Sequence, residues 1–337
     1  MTASAVPRAA RRVGRRAVRR VRLELDWLTS RRGAADVALF HELAPSPSGG
    51  GHQFLRALVG ELERRGLDVE LNRLSTGTRA CLFNSFNFEA ARLRRFARAD
   101  ARMVHRVDGP IGVYRGYDDG TDRMIAALNA ELADATVLQS RYSLEKHREL
   151  GIDLRSPVVI SNTVDPALFH PPAERVPLAG RKARVIATSW SDNLRKGAET
   201  LSWLDRNLDD DRYELTFVGR APVRFERIRV VGPVASTEVA RMLGQHDVYL
   251  APSRDDPCSN ALLEALACGL PAAYLQSGGH PELVGDAGLP FREEEELPAV
   301  LDRLVAELDE RRAAIRVPSL ADIADRYLSI LGLERPA

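Results

Sequence analysis

The chain has 337 residues, of which 45% are hydrophobic and 28% are charged, and its formal net charge at pH 7 is +1. This length exceeds the ~100–200 residues of a typical domain, so two domains are expected. The composition is that of an ordinary globular protein and excludes collagen-like or globally disordered chains. No apolar run reaches the ~18 residues of a membrane-spanning helix.

The charge is distributed unevenly along the chain. Residues 1–32 contain ten arginines against only Glu24 and Asp26, which gives this segment +8 and leaves the remainder at −7. An acidic body argues against nucleic acid as a partner, because binding to the phosphate backbone needs basic side chains across the docking face. Residues 1–32 are predicted to be either a disordered basic tail or an amphipathic helix that contacts an anionic membrane surface.

The cysteines and the amino-terminal segment indicate the cellular compartment in which the protein is expected. Cys81, Cys258 and Cys268 are odd in number and have spacings that fit neither a zinc site nor a disulfide scaffold. Residues 1–32 also lack the apolar core of a secretory signal. We therefore expect a cytoplasmic protein, held at the inner membrane face if the basic tail binds lipid.

From residue 37 onward, short β-rich runs alternate with helical patterns, which predicts a parallel sheet covered by helices. The predicted strands of the first series are 37–40, 69–71, 80–83, 102–107, 136–139 and 158–161, and its helices are 52–65, 89–97, 121–133 and 143–150. Between the first strand and its helix, glycines 49–51 let the backbone approach a ligand closely. The fourth strand carries His105 near its carboxyl end, followed by Arg106 and Asp108.

A proline-rich stretch over residues 165–184 interrupts this pattern and predicts a linker. A second alternating series then follows, with predicted strands at 185–189, 214–218, 228–231, 248–251 and 272–275 and helices at 198–208, 237–244 and 259–268, before two further helices. The predicted fold class is α/β, with two doubly wound Rossmann-like domains facing across a cleft. The predicted divisions are 1–32 tail, 33–166 first domain, 167–182 linker, 183–317 second domain and 318–337 carboxyl-terminal helix.

The segment 251–271, APSRDDPCSNALLEALACGLP, carries the strongest functional signal. A strand ends here, a loop turns, and a helix begins at Ser259, which is a good N-cap residue. Free N–H groups at such a helix start suit a pyrophosphate. Asp256 precedes the helix and Glu264 lies within it, and both carboxylates are suited to accept hydrogen bonds from sugar hydroxyls. The alternative is that Asp256 only supports the helix start and Glu264 is solvated.

This segment, with SGGHPELVGDAGLPF at 277–291, resembles the donor-binding region of the retaining family 4 (group 1) glycosyltransferases, which have the GT-B fold. Residues 47–69, PSGGGHQFLRALVGELERRGLDV, and 159–171, VISNTVDPALFHP, extend the resemblance over nearly the whole chain after the tail. The family signature is Glu, seven residues, Glu. Its second position is Glu264, and its first holds Asp256, which is one methylene shorter.

The resemblance implies a role for each site residue. Glu264 is expected to hold the donor ribose, Asp256 to contact the transferred sugar, and Lys196 to bind the diphosphate. The family also has an arginine a few residues before this lysine, and here Arg195 is expected to substitute for it. The other expected donor-binding residues are Gly50, Gly51, Gly219, Ser259 and Asn260. The alternative for Lys196 is an ordinary surface lysine.

On the opposite side of the cleft, the resemblance implies that His105 lies near the reacting sugar and counts with Asp256 and Lys196 among the catalytic residues. Arg106 and Asp108 are expected on the acceptor side. The alternative for His105 is a buried, hydrogen-bonded structural histidine. No pair of histidines has metal-ligand spacing, and no metal and no cofactor are expected. The family's last helix crosses back to the first domain, and the sequence leaves open whether 318–337 does so.

The function predicted is therefore retaining transfer of a hexose-type sugar from a nucleotide-diphosphate sugar to a glycan, lipid-linked or small-molecule acceptor, as in polysaccharide biosynthesis. Two alternatives stay open. Nucleotide-sugar epimerases share the two-domain architecture and need no acceptor. A non-catalytic subunit that binds a nucleotide sugar is the second alternative, motivated by the departures at Asp256 and at the missing arginine.

Overall fold

A computed structural model describes residues 33–43, 50–98, 100–191 and 193–334. The tail 1–32, with its predicted membrane contact, and Gly49 lie outside the described residues. In the described part of the chain, no helix combines the length and the apolar character needed to cross a membrane.

The first domain is built on a six-stranded parallel sheet in the order β2-β1-β3-β4-β5-β6. Its strands are β1 Val37–Phe40, β2 Val69–Leu71, β3 Ala80–Asn84, β4 Arg102–Val107, β5 Ala135–Leu138 and β6 Pro157–Val159. Its helices are α1 Gly50–Arg64, α2 Ala90–Phe96, α3 Ile111–Arg115, α4 Thr121–Leu132 and α5 Arg141–Glu149. The short helix α3 is absent from the predicted pattern, since it is one turn and a half that begins directly after Pro110.

The second domain repeats this plan with the strand order β12-β11-β10-β7-β8-β9. Its strands are β7 Ala183–Ser189, β8 Tyr213–Gly219, β9 Arg229–Val231, β10 Val248–Ala251, β11 Ala272–Leu275 and β12 Gly288–Phe291. Its helices are α6 Ala198–Asn207, α7 Ser236–Gly244, α8 Asn260–Ala267, α9 His280–Val284, α10 Leu297–Ala306 and α11 Leu308–Ala313. Short 3₁₀ helices lie at Leu194–Lys196, Gly285–Ala287 and Glu294–Glu296. The α/β architecture of two Rossmann-like domains is confirmed.

The last helix, α12 (Leu320–Leu331), packs on the first domain. Its buried face contributes Ile323, Tyr327 and Leu331 to a core that it shares with Leu39 of β1 and Phe54 of α1. The ring of Tyr327 lies 6.0 Å from that of Phe54. Helix α12 therefore returns from the second domain to the hydrophobic core of the first, which connects the two domains at a second place.

Candidate functional site

A cleft of about 670 Å³ lies between the two domains, at the carboxyl ends of both sheets. In parallel α/β sheets, ligands bind outside these strand ends, because the loops there are free to carry functional side chains. Residues that follow or end β1, β3, β4 and β5 line the cleft from one side, and residues at the ends of β7, β8 and β10 line it from the other. The lining includes His41, Gly51, His52, Asn84, Arg106, Asp108, Tyr114, Ser189, Trp190, Ser191, Lys196, Arg220, Ser253, Asp256, Ser259 and Asn260.

Lys196 lies on the second-domain side of this cleft, at the end of the 3₁₀ helix Leu194–Lys196. Gly197 follows it with φ +102°, and a Cβ built on Gly197 would lie 2.2 Å from Cγ of Pro252. Only glycine permits this close approach and this backbone angle. The turn brings Lys196 Nζ to 2.7 Å from Oδ2 of Asp256 and to 4.7 Å from the centre of the Tyr114 ring.

Lys196 is not a solvated surface lysine, since its side chain is only 20% exposed. Burial lowers the pKa of Lys196, but the Asp256 carboxylate outweighs burial and holds this pKa above its usual range. Burial likewise raises the pKa of Asp256, and Lys196 outweighs it, so the net shift of that carboxyl is downward. Both groups are therefore charged at neutral pH.

Asp256 is held by the loop that leads into α8. Its Oδ1 accepts a hydrogen bond from the Cys258 N–H at 3.2 Å, and its Oδ2 lies 3.4 Å from the Ser253 hydroxyl. The same hydroxyl lies 3.1 Å from Nε2 of His280, which is fully buried. These contacts fix the carboxylate at the amino-terminal end of α8.

Helix α8 begins as the sequence predicts. The Ser259 hydroxyl caps it by accepting a hydrogen bond from the Leu262 N–H at 3.4 Å. Asn260, the first helical residue, accepts a hydrogen bond on Oδ1 from Asn162 of the first domain at 2.9 Å. The structure thus brings Ser259, Asn260, Asp256 and Lys196 together on one wall of the cleft.

Glu264 occupies a different position. It is buried and lines a small separate cavity of about 10 Å³, together with Gln53 and Phe54 of α1. Burial raises the pKa of Glu264 to about 8, and no charge or hydrogen bond of the described residues offsets it. Gln53 donates a hydrogen bond to the Ser236 hydroxyl of α7 at 2.5 Å, so a contact between the domains closes this region. Glu264 and Asp256 therefore do not face a common space in this structure.

On the first-domain wall, Arg106 and Asp108 lie where the sequence predicts. The Arg106 guanidinium is buried and donates to Asn84 at 2.7 Å, to Asp108 at 3.0 Å and to Asn162 at 2.8 Å. Because Asn162 also bonds to Asn260, a chain of hydrogen bonds runs from Asp108 across to the second domain. The Asp108 side chain is 30% exposed, so its carboxylate is open to the cleft.

His105 does not line the cleft, and this corrects its expected place near a reacting sugar. Side chains alternate along β4, so the side chain of Arg106 turns to the site and that of His105 turns into the core. The His105 ring stacks on Phe83 at 4.3 Å between ring centres, and Nδ1 accepts a hydrogen bond from Asn129 at 3.1 Å. Burial lowers its pKa to about 3. It has the contacts of a structural histidine.

The histidines that do reach the cleft are His41, after β1, and His52, on the first turn of α1. Their ring nitrogens Nε2 and Nδ1 lie 2.9 Å apart. Burial lowers the pKa of both rings, and that of His41 falls to about 4. The positions of His41 after a strand and of His52 at a helix start are signals of a place near the cleft, but their pairing cannot be read from the sequence.

Arg195 also departs from its expected place. Its guanidinium pairs with Asp255, which in turn accepts a hydrogen bond from the Tyr142 hydroxyl of the first domain at 2.8 Å. Arg195 is absent from the cleft lining and instead holds the two domains together. It therefore does not supply a second cation beside Lys196.

The predicted glycines have distinct positions. Gly50 begins α1, and Gly51 lines the cleft with open space around its missing Cβ, so a ligand can approach the backbone there. Gly219 ends β8 with φ +120°, and a Cβ on it would lie 1.9 Å from the Ser189 carbonyl oxygen. The residue that follows it, Arg220, lines the cleft and was missed by the sequence analysis. Its position directly after a buried strand was the available signal.

Comparison with known proteins finds a family that the second domain resembles. Residues 191–307 match the model of the family described as Glycosyl transferases group 1. This segment contains Lys196, Asp256 and Glu264. The second domain is therefore similar to the group 1 glycosyl transferases.

A curated human relative, one of the subunits of phosphatidylinositol N-acetylglucosaminyltransferase, is 28% identical to this chain over 140 residues. The match covers 37% of this chain and 28% of the relative, so the chain matches under a third of that protein's length.

The solved structures extend the likeness to both domains and show that the fold is GT-B. Sucrose-phosphate synthase from Thermosynechococcus elongatus superposes with a TM-score of 0.69 at 17% identity, covering 89% of this chain and 98% of that one. The catalytic domain of starch synthase IV from Arabidopsis thaliana, bound to ADP and acarbose, gives 0.67 at 12% identity over 89% and 99% of the two chains. Anabaena HepE in complex with UDP and glucose gives 0.64 at 15% identity over 88% and 99%.

The burial of Glu264 predicts a pH-dependent stability. Because its folded-state pKa of about 8 exceeds the ordinary value of 4.5, its contribution to stability is complete below pH 4.5 and is lost as pH rises to about 8. Glu264→Gln removes the buried charge. We therefore expect the free energy of unfolding, measured in urea, to fall more for wild type than for the variant between about pH 5 and about pH 8.

The exposed Glu295→Gln is the matched control for this measurement, since it alters a carboxylate on the surface of the same domain. If the free energies of unfolding of Glu264→Gln and wild type differ by the same amount at both pH values, the Glu264 carboxylate is not buried without a partner.

Proposed function

We propose that this chain transfers a hexose from a nucleotide-diphosphate sugar to an acceptor, with retention of the anomeric configuration. The observation that carries the proposal is the Lys196–Asp256 ion pair at the start of α8, on the wall of a cleft between two Rossmann-like domains. It places a cation, a carboxylate and the positive end of a helix dipole within one region. A diphosphate attached to a sugar presents complementary groups, because its phosphate oxygens suit the cation and the helix start and its sugar hydroxyls suit the carboxylate.

In this proposal Lys196 stabilises the departing diphosphate. An ammonium has three N–H donors, and Asp256 takes one of them at 2.7 Å, which leaves donors for phosphate oxygens. A fixed cation is most effective where charge develops in a partly buried site, because no solvent has to reorganise. Transfer then proceeds as the bond between the sugar and the diphosphate breaks and the acceptor hydroxyl attacks from the same face of the sugar. The proton of that hydroxyl passes to the departing diphosphate oxygen, and no protein nucleophile takes part.

Asp256 and Asp108 have complementary places in this scheme. Asp256 is fixed by Lys196 and by the Cys258 N–H, and its remaining lone pairs accept hydrogen bonds from hydroxyls of the transferred sugar. Asp108 opens to the cleft from the opposite domain, beside the buried Arg106, and is suited to an acceptor hydroxyl. The acceptor class, whether glycan, lipid-linked or small molecule, is set by this wall of the cleft.

Glu264 is proposed to hold the ribose of the donor. A carboxylate can accept hydrogen bonds from both hydroxyls of a vicinal diol, and such bonds would offset the burial that now raises its pKa. Its present cavity of about 10 Å³ is too small for a ribose. Donor entry in this proposal therefore requires the Gln53–Ser236 contact to open, which separates α1 from the second domain.

The ligands of two structural relatives agree with a nucleoside diphosphate as the leaving group. HepE is described in complex with UDP and with UDP-glucose, and starch synthase IV is described with ADP. The base that this chain prefers is identified by the first step of the test below, in which UDP-, GDP-, ADP- and dTDP-sugars are compared for their effect on thermal stability.

Lys196→Ala should lower the rate of sugar transfer at least about 100-fold with the donor so identified, because the positive charge at the leaving group is lost. Lys182→Ala alters an exposed lysine that directly precedes β7 of the second domain; it is the matched control and should keep the wild-type rate. Transfer is measured by release of the nucleoside diphosphate over a panel of acceptors.

Since Lys196→Ala leaves Asp256 buried without its partner, folding is checked by circular dichroism, and Lys196→Ala/Asp256→Asn serves as a second variant. An unchanged transfer rate in the folded variants contradicts the proposal. Conversion of the donor to an isomeric nucleotide sugar without any acceptor would identify an epimerase. Donor binding without turnover on any acceptor would identify a binding subunit.

The proposal includes transfer without a metal, because the charge of the leaving diphosphate is met by Lys196 and the α8 terminus. Activity in excess EDTA should therefore stay close to that without chelator. A complete loss of activity in EDTA that is reversed by Mg²⁺ or Mn²⁺ would overturn this part of the proposal. The assignment of the donor site would then be tested separately.

A further inference from the structure

The charges that line the cleft are unequally balanced. Two of its three strong cations have a carboxylate partner, since Arg106 pairs with Asp108 at 3.0 Å and Lys196 pairs with Asp256 at 2.7 Å. The third, Arg220, forms no ion pair with any carboxylate in the part of the chain that the structure describes. The surplus positive charge of the cleft is therefore carried by Arg220.

The two histidines of the cleft do not change this balance. Burial lowers the pKa of His41 to about 4 and also lowers that of His52 below its ordinary value. Both rings are therefore neutral at pH 7. Arg195, the neighbour of Lys196, does not add a positive charge to the cleft. Its guanidinium pairs with Asp255, and Asp255 is held by the Tyr142 hydroxyl at the contact between the domains.

The backbone places Arg220 at the donor side of the cleft. Gly219 lets the end of β8 lie directly against the end of β7, where any side chain would collide with the Ser189 carbonyl. The Arg220 N–H then donates to that carbonyl at 2.9 Å. Arg220 thus projects beside the loop that follows β7, and this loop leads to Lys196. The arginine is exposed to the cleft rather than packed away.

We propose that Arg220 is a second diphosphate-binding residue, which acts with Lys196 on the phosphates of the nucleotide. This inference rests on the proposed function and adds to it the group that supplies the net positive charge. A nucleoside diphosphate brings two to three negative charges, while the positive charge of Lys196 is already balanced by the Asp256 carboxylate. The planar guanidinium of Arg220 offers paired N–H donors that fit two phosphate oxygens at once.

The test compares binding of UDP, GDP, ADP and dTDP with binding of the corresponding nucleosides by isothermal titration calorimetry. For the diphosphate that binds wild type, Arg220→Ala should weaken affinity about tenfold or more, and Arg220→Lys should restore part of the loss. Affinity for the nucleoside, which has no phosphate, should stay unchanged. The loss should also diminish at high salt, where charge interactions are screened.

Arg229→Ala is the matched control, because Arg229 is an exposed arginine of the same domain that does not line the cleft. It should leave affinity for the diphosphate unchanged. If wild type binds a diphosphate and Arg220→Ala binds it equally well, the role of Arg220 is wrong while the proposed function stands. If wild type binds none of the four diphosphates, the proposed function fails and this inference fails with it.

Discussion

The ion pair between Lys196 and Asp256 is the interaction on which the site depends. Either charge alone in this partly buried place would be costly, and removal of one partner from such a pair costs about 3–5 kcal/mol. The two residues are far apart in sequence, yet they follow β7 and β10, which are neighbours in the second sheet. Strand order therefore brings them together, and Gly197 against Pro252 sets the final distance.

The cleft around this pair is completed by contacts between the domains. The carboxylate of Glu282 accepts hydrogen bonds from the N–H groups of Arg141 and Tyr142 at 2.8 and 2.7 Å, and so caps α5 from the opposite domain. Together with the Asn162–Asn260 bond, this contact holds the two walls at a fixed separation. The same closeness confines Glu264 to its small cavity, apart from the cleft wall that carries Lys196 and Asp256.

Much of this architecture could be predicted, because parallel strands buried on both faces leave continuous apolar runs between helical patterns. The start of α8 at Ser259 was also predictable, since capping is local chemistry. Side-chain direction was harder. His105 and Arg106 are adjacent on one strand and face opposite sides, and Arg195 and Lys196 have equal charge but different partners. Such choices depend on residues that are distant in sequence.

The proposed binding of a nucleotide's diphosphate at the Lys196–Asp256 wall can be tested by a crystal structure of the protein soaked with a nucleoside diphosphate. We expect phosphate oxygens within hydrogen-bonding distance of Lys196 Nζ at the start of α8, with the ribose at Glu264 and the domains moved apart at Gln53. A nucleotide bound elsewhere, or phosphates turned away from Lys196, would contradict it.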